Sequence, residues 1–294
     1  MFEDCAMVEV KKSAPRVAVI GTGAIGSAVV HRLLGGGYDV TVWNRTESRA
    51  TELVAAGALP ARSVREAVSS STLIFLPLKD YTAVEQCLTQ LDMDLSGQTI
   101  VGMYTGTASE ARLAAQRVTS LGGQYIDAGI QASPEMIGTD AATILYSGSR
   151  HAFEQHKTTL ELLSKPRFVG ETLEAAAVWD LALFGVWYDA QLGLLRALDA
   201  AREAGIDVVE FSHTASAQLG HVVTAVSATV SEMQQATYPP GPADLTEHLT
   251  VVRHLIELRA GRRLGDGGLP ELAARIEALI ADGRGGEGLT ATVG

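Results

Sequence analysis

Through the first 170 residues, short runs rich in apolar residues alternate with stretches of helical periodicity. Runs at 17–20, 39–43, 72–77, 98–104, 124–130 and 142–148 read as buried strands, with Pro77 ending the third. Between them, 27–34, 51–57, 63–69 (capped by Ser63) and 153–163 read as helices. This βα alternation predicts an α/β domain, a doubly wound parallel sheet covering 16–170. Past it the pattern changes. Residues 171–204 are rich in Ala, Leu, Val and Trp, lack proline and end before Gly205, which predicts one long helix apolar on nearly every face and therefore buried. Three further helices are expected at 211–238, 244–260 and 269–282, so a small all-α domain should occupy 205–294. Residues 1–15 read as a disordered leader without the apolar stretch of a signal peptide or anchor.

The first strand runs directly into Gly21-Thr22-Gly23-Ala24-Ile25-Gly26. In G-x-G-x-x-G the first glycine permits a tight turn, the second lets a pyrophosphate approach the backbone, and the third lets the helix pack closely on the strand. The next strand decides the nucleotide. A carboxylate at its end would accept hydrogen bonds from a ribose 2′-hydroxyl and repel a 2′-phosphate, but here Asn44, Arg45 and Thr46 follow Trp43, with Ser48 and Arg49 close behind. Neutral and cationic groups at this position favour NADP(H) over NAD(H). Ligands bind beyond the carboxyl ends of strands in such sheets, so the loop Pro77-Leu78-Lys79-Asp80, just past Leu76, should run beside the cofactor. Thr105 reads either as a polar group near the nicotinamide or as a turn residue bonding its own backbone.

Composition narrows the class only modestly. The 294 residues are 47% hydrophobic, enough for two ordinary domains, and a net charge of −11 disfavours a nucleic-acid partner. Cys5 and Cys87 are too few and too scattered for a disulfide framework or a zinc site, so no metal and a cytoplasmic setting are expected. A small helical domain is hard to stabilise alone, and a homodimer sharing helices is the natural solution.

The chain resembles the NADPH-dependent imine reductases, which are related to the β-hydroxyacid dehydrogenases. The resemblance covers nearly everything after the leader. It is carried by Gly21-Thr-Gly-Ala-Ile-Gly, Trp43-Asn-Arg-Thr, Leu76-Pro-Leu, Ala132-Ser-Pro-Glu-Met-Ile-Gly138, Ile144-Leu-Tyr-Ser-Gly-Ser149, Trp179-Asp-Leu-Ala-Leu183 and Gly283-Arg-Gly-Gly-Glu-Gly288. It implies a Rossmann-type domain, a long interdomain helix, a helical domain that intertwines in a homodimer, and reduction of C=N bonds in small imines or iminium ions. By the same resemblance, Tyr188 stands where a proton donor is placed and Asp180 where an acid organises the site, with Asp189 next to Tyr188 as an alternative. Asp180 and Tyr188 are eight residues apart on the predicted helix, about 12 Å along its axis, close enough to line one cleft and too far to touch. For each the bland alternative stays open: a core tyrosine bonded to backbone, and a carboxylate paired with Arg202 or a helix terminus. Trp179, Phe184, Trp187, Met233 and Tyr238 are candidates for an apolar, aromatic wall suited to a cation.

One absence separates the chain from the dehydrogenases. Those enzymes use a lysine near the start of the long helix, where this chain reads Ala175-Ala176-Ala177-Val178-Trp179-Asp180, and the last lysine of the whole chain is Lys165. An NADP-dependent carbonyl oxidoreductase acting on a β-hydroxy acid is the alternative function, and a redox-inactive NADP-binding protein a more distant one.

Overall fold

The computed structural model describes residues 14–294, so Cys5 and nearly all of the expected leader lie outside the described residues. The N-terminal strands are β1 (Arg16–Ile20), β2 (Asp39–Trp43), β3 (Leu59–Pro60), β4 (Leu73–Leu76) and β5 (Thr99–Met103). They are followed by β6 (Gln124–Gln131), β7 (Thr143–Gly148) and β8 (Arg167–Gly170). They form one sheet in the order β3-β2-β1-β4-β5-β6-β7-β8. Neighbours run parallel except β6 and β7, which are antiparallel with Asp127 opposite Ser147. The expected parallel sheet is therefore a mixed one, because the short connection through Pro134 and Gly138 returns the chain directly beside β6 without a helical crossover.

Helices α1 (Ala24–Gly35), α2 (Thr51–Ala55), α3 (Val64–Ser69), α4 (Tyr81–Leu88), α5 (Ala108–Ser120) and α6 (Arg150–Leu160) connect the strands. Alternate strand residues feed two cores, as the two-residue period requires. Val17, Val19, Val101 and Ile144 join Val29 and Leu33 of α1 and Phe153 of α6 on one face. On the other, Ala18, Ile20, Ile74 and Ile100 meet Val64 of α3, Val84 of α4 and Ala114 of α5. Each fully buried Val, Leu, Ile or Phe contributes roughly 1.5–3 kcal/mol, which is what fixes the register of the sheet. Ser63 caps α3 by accepting the Glu66 amide, as the sequence predicts. The hydrophobic pattern does not mark β3, α4 or β8. The first has two residues, and α4 buries only Val84, Cys87 and Leu88, its start being fixed by the Asp80 carboxylate accepting the Ala83 amide.

The remaining helices are α7 (Ala175–Glu203), α8 (Val208–Gln235), α9 (Leu245–Arg259) and α10 (Leu269–Ala281). The chain divides inside α7 into two compact units, one ending at Phe184 and the other spanning Gly185–Gly294. In the second unit α9 and α10 enclose a small core of Leu245, Leu249, Val252, Ile276 and Leu279. An Asp244/Glu247 capping box starts α9. The expectation that α7 is buried on nearly every face does not hold within the single chain: Val186 and Trp187 are exposed. Helix α8 has no buried residue along its length, and Val222, Val223 and Val226 lie open. Apolar faces of this extent are the kind that mark interaction surfaces. Among the described residues, no helix is long and apolar enough to cross a membrane.

Candidate cofactor and substrate site

The strand order reverses between β1 and β4, and the loops leaving their carboxyl ends meet there. Gly21 has φ +112°, a conformation only glycine adopts freely, and a side chain on it would strike Leu78 and the Pro77 carbonyl. A methyl group on Gly26 would collide with the Gly21 carbonyl oxygen, whereas Gly23 faces open space. The three glycines thus have separate roles: turn, close packing and ligand approach. Helix α1 begins at Gly23 with no side-chain cap and no acid in its first turn, so its leading amides stay available to an anion. Thr22 Oγ1 is buried there without a partner.

Asn44 braces this turn from β2. Its Oδ1 accepts the Thr22 amide at 3.1 Å and its Nδ2 donates to the Thr46 carbonyl at 2.9 Å. Around it lies a cavity of about 330 Å³ lined by Gly21, Gly23, Trp43–Thr46, Arg49, Pro77–Lys79, Ala83, Gln86, Cys87 and Gln90. Arg45, Arg49 and Lys79 bring cations, and no carboxylate lines the cavity. Arg45 Nη1 reaches Gln86 Oε1 at 3.5 Å, so α4 supports the guanidinium. Burial pushes the Cys87 thiol up to about 11, leaving it a neutral wall atom at physiological pH. The cavity brings Gly21, Gly23, Asn44, Arg45, Thr46, Arg49, Pro77 and Leu78 together, while Thr22 stands in the turn, Ala24, Ile25 and Gly26 open α1, and Leu76 is the buried end of β4. Thr105 lies exposed beyond the carboxyl end of β5 and outside this cavity. Lys79 comes from the loop expected beside the cofactor, and Gln86 of α4 and Gln90 just past it are additional lining residues. An acid-free, cation-lined cavity beside an uncapped helix start fits a dinucleotide carrying a 2′-phosphate.

In the same unit, the first turns of α7 lie on β6. Asp180 is only 2% exposed. Gln131 Nε2 donates to its Oδ1 at 2.8 Å. Gly129 makes the approach possible, since a Cβ there would sit 2.8 Å from Asp180 Cβ. Burial raises the Asp180 carboxyl above the usual carboxylate range, partly offset by the Gln131 hydrogen bond. The alternative pairing with Arg202 is not made, because Arg202 Nη2 donates to Asp199 Oδ1 at 2.6 Å.

In the second unit, Tyr188 is 55% exposed, and its ring meets Trp187 edge-on with centroids 4.9 Å apart. Among the described residues its hydroxyl has no hydrogen-bond partner, unlike a core tyrosine. Asp189 is also exposed. Of the proposed wall, Trp179, Trp187 and Met233 are exposed and Phe184 half-buried, with the Arg167 guanidinium 5.6 Å from the Trp179 ring centroid. Tyr238 instead packs on the small core of the second unit, beside Arg284.

Sheet order, glycine turn and cation-lined cavity together define a dinucleotide-binding protein of the doubly wound class. Residues 16–173 match the NAD binding domain of 6-phosphogluconate dehydrogenase, and 173–294 match the C-terminal domain of NADPH-dependent reductive aminase-like proteins. An NADPH-dependent reductive aminase of Aspergillus oryzae is 31% identical over 94% of this chain and 95% of its own length. Among solved structures, an imine reductase from Pseudomonas sp. superposes with a TM-score of 0.84 at 31% identity, covering 95% of this chain and 98% of that one. An Aspergillus terreus imine reductase in complex with NADPH4 and dibenz[c,e]azepine gives 0.88 at 28% identity over 96% and 99%. The chain belongs to the imine reductase and reductive aminase family.

Proposed function

We propose that the protein reduces imines and iminium ions to amines with NADPH, and that Tyr188 supplies the proton when the imine arrives neutral. NADPH delivers a hydride from its nicotinamide C4 when bound. The chain's residues provide everything else. Gly21, Gly23 and the first amides of α1 hold the pyrophosphate, and Arg45, Arg49 and Thr46 hold the 2′-phosphate. A protonated C=N carbon is far more electrophilic than a neutral one, so proton supply and stabilisation of the cation govern the rate. Tyr188 offers an unencumbered hydroxyl, and the Asp180 carboxylate, oriented by Gln131, organises the site. Small cyclic imines or iminium ions are the expected substrates. The exposed apolar faces of α7 and α8 support a homodimer with shared helices, and a cytoplasmic setting belongs to the same reading.

The observation that carries the assignment is family membership joined to a cofactor cavity with three cations and no acid. The β-hydroxyacid alternative requires a proton-relaying lysine, and α7 contains none. The experiment is NADPH oxidation with 2-methyl-1-pyrroline, run beside NADP⁺ reduction with a panel of β-hydroxy acids. Amine formation with the first and silence with the second is expected; the opposite pattern would overturn the proposal.

A further inference from the structure

A second carboxyl lies behind Asp180. Asp127, on β6, is 3% exposed and projects from the same face as Gly129 and Gln131, the two residues that receive Asp180. Its Oδ1 lies 3.3 Å from the Tyr125 hydroxyl, which lies 3.5 Å from the Tyr104 hydroxyl. A phenol carries one proton, so Tyr125 donates to Asp127 or to Tyr104 but not to both; when Asp127 is an anion it takes that proton's bond, and Tyr104 is left to donate to Tyr125. Room for it is built into the sheet. Gly102 pairs with Asp127 in the register of β5 and β6, and a side chain at Gly102 would collide with the Tyr125 hydroxyl.

The charges around Asp127 are few. From β5 it faces Gly102, from just past that strand Tyr104, and from β6 Tyr125. From β7 it faces Ser147, whose hydroxyl is already engaged with the Leu173 carbonyl and the Ala176 amide. From α7 come the Ala177 amide, which the carboxylate accepts, and the charge of Asp180. Helix α5 buries only Ala111, Ala114, Ala115 and Val118, and its Arg112 is tied to Glu174 at 2.8 Å. Among the described residues no cation pairs with either carboxyl. Two buried acids that feel each other and lack a cation do not both ionise readily.

We propose that Asp127 is a positioning residue for imine reduction: it holds a proton behind Asp180, at the inner end of the Tyr104–Tyr125 hydroxyl chain, so that the pair's single negative charge rests on Asp180. Burial, with the neighbouring Asp180 charge adding to it, pushes Asp127 up to about 7 against the opposing Tyr125 and Ala177 hydrogen bonds. While Asp127 is neutral, Asp180 stays anionic and oriented by Gln131. Once Asp127 loses its proton to water, two anions repel across the β6–α7 contact and Asp180 is driven from that position. The inference rests on the role given to Asp180 above.

The test uses the full-length protein saturated with NADPH and an N-alkylated cyclic iminium, which needs no proton from the enzyme. Turnover in the unaltered protein should fall as pH rises through about 7. Asp127→Asn, which keeps the shape and cannot ionise, should abolish that limb. Tyr125→Phe removes a hydrogen bond that favours the anion and should move the limb up by about one pH unit. An infrared carbonyl band of a protonated carboxyl, recorded without imine, should titrate with the same midpoint, vanish in Asp127→Asn and shift upward in Tyr125→Phe. A uniform loss of rate with an unmoved pH profile in both variants, or no protonated-carboxyl band below pH 7, would overturn the proposal. The band as predicted with no turnover of any imine would overturn the imine-reductase reading and leave the proton on Asp127.

Discussion

Replacing Arg45 by alanine tests the cofactor assignment most cleanly, because it removes one cation and leaves the rest of the cavity in place. Arg45 lies at the carboxyl end of β2, lines the cavity beside Thr46 and Arg49, and is steadied by Gln86 at 3.5 Å. A charge-assisted hydrogen bond is worth about 1.5–3 kcal/mol. Arg45 is exposed, and Arg49 and Lys79 remain to neutralise the phosphate, so solvent screening places the expected loss near the lower end, about 1.5 kcal/mol. That is roughly a tenfold weakening of NADPH binding. NADH lacks the 2′-phosphate, and its affinity should change by less than about twofold. Titration of nicotinamide fluorescence or calorimetry with each cofactor reads both constants on one preparation. The difference should shrink at high salt, since the lost term is electrostatic. Equal weakening for the two cofactors would remove Arg45 from the phosphate site and with it the stated basis of NADP(H) preference.

Lys79→Ala should weaken NADPH binding about threefold, leave NADH unaffected and lower the salt dependence of NADPH affinity, as expected for an exposed cation steering an anion; equal loss for both cofactors would contradict this. Tyr188→Phe should cut turnover of neutral imines by about 10²-fold or more while sparing an N-alkylated iminium and NADPH affinity; comparable loss on both substrates would make Tyr188 a positioning group. Gly129→Ala places a methyl group against Asp180 and should destabilise the fold by about 1–3 kcal/mol, seen as a drop of several degrees in melting temperature, together with impaired turnover; an unchanged melting curve would refute the tight β6–α7 contact. Val223→Asp on the open face of α8 should convert a dimer into monomers by light scattering, and an unchanged mass would remove α8 from the subunit contact.

The nucleotide half of the site is legible in the sequence because its determinants are local. Three glycines within six residues, an apolar strand before them and Arg45 three residues after the last buried position of β2 are all read from one short window. Gln86 and Gln90 escape that reading because they reach the cavity from α4 and the residues just past it, and the short apolar face of α4 gives little periodic signal, whereas Lys79 belongs to the loop expected beside the cofactor. Asp127 escapes because it sits in a strand read only for its apolar members. A single acid between Ile126 and Ala128, on the same face as Tyr125, is nonetheless a visible anomaly in a buried strand. Helix α7 shows a different limit. Its composition demands burial, yet Val186, Trp187 and Tyr188 are open in the single chain, since periodicity reports that a face needs a cover and not which chain supplies it.

The central claim is hydride transfer from NADPH to a C=N carbon. The most direct measurement is turnover of 2-methyl-1-pyrroline with NADPH deuterated at C4, followed by mass spectrometry and NMR of the product. One deuterium at the former imine carbon of 2-methylpyrrolidine, with one NADP⁺ formed per amine, is the predicted result. A protein that binds NADPH yet oxidises none with a panel of cyclic imines, or an amine that carries no label from stereospecifically deuterated cofactor of either face, would contradict it.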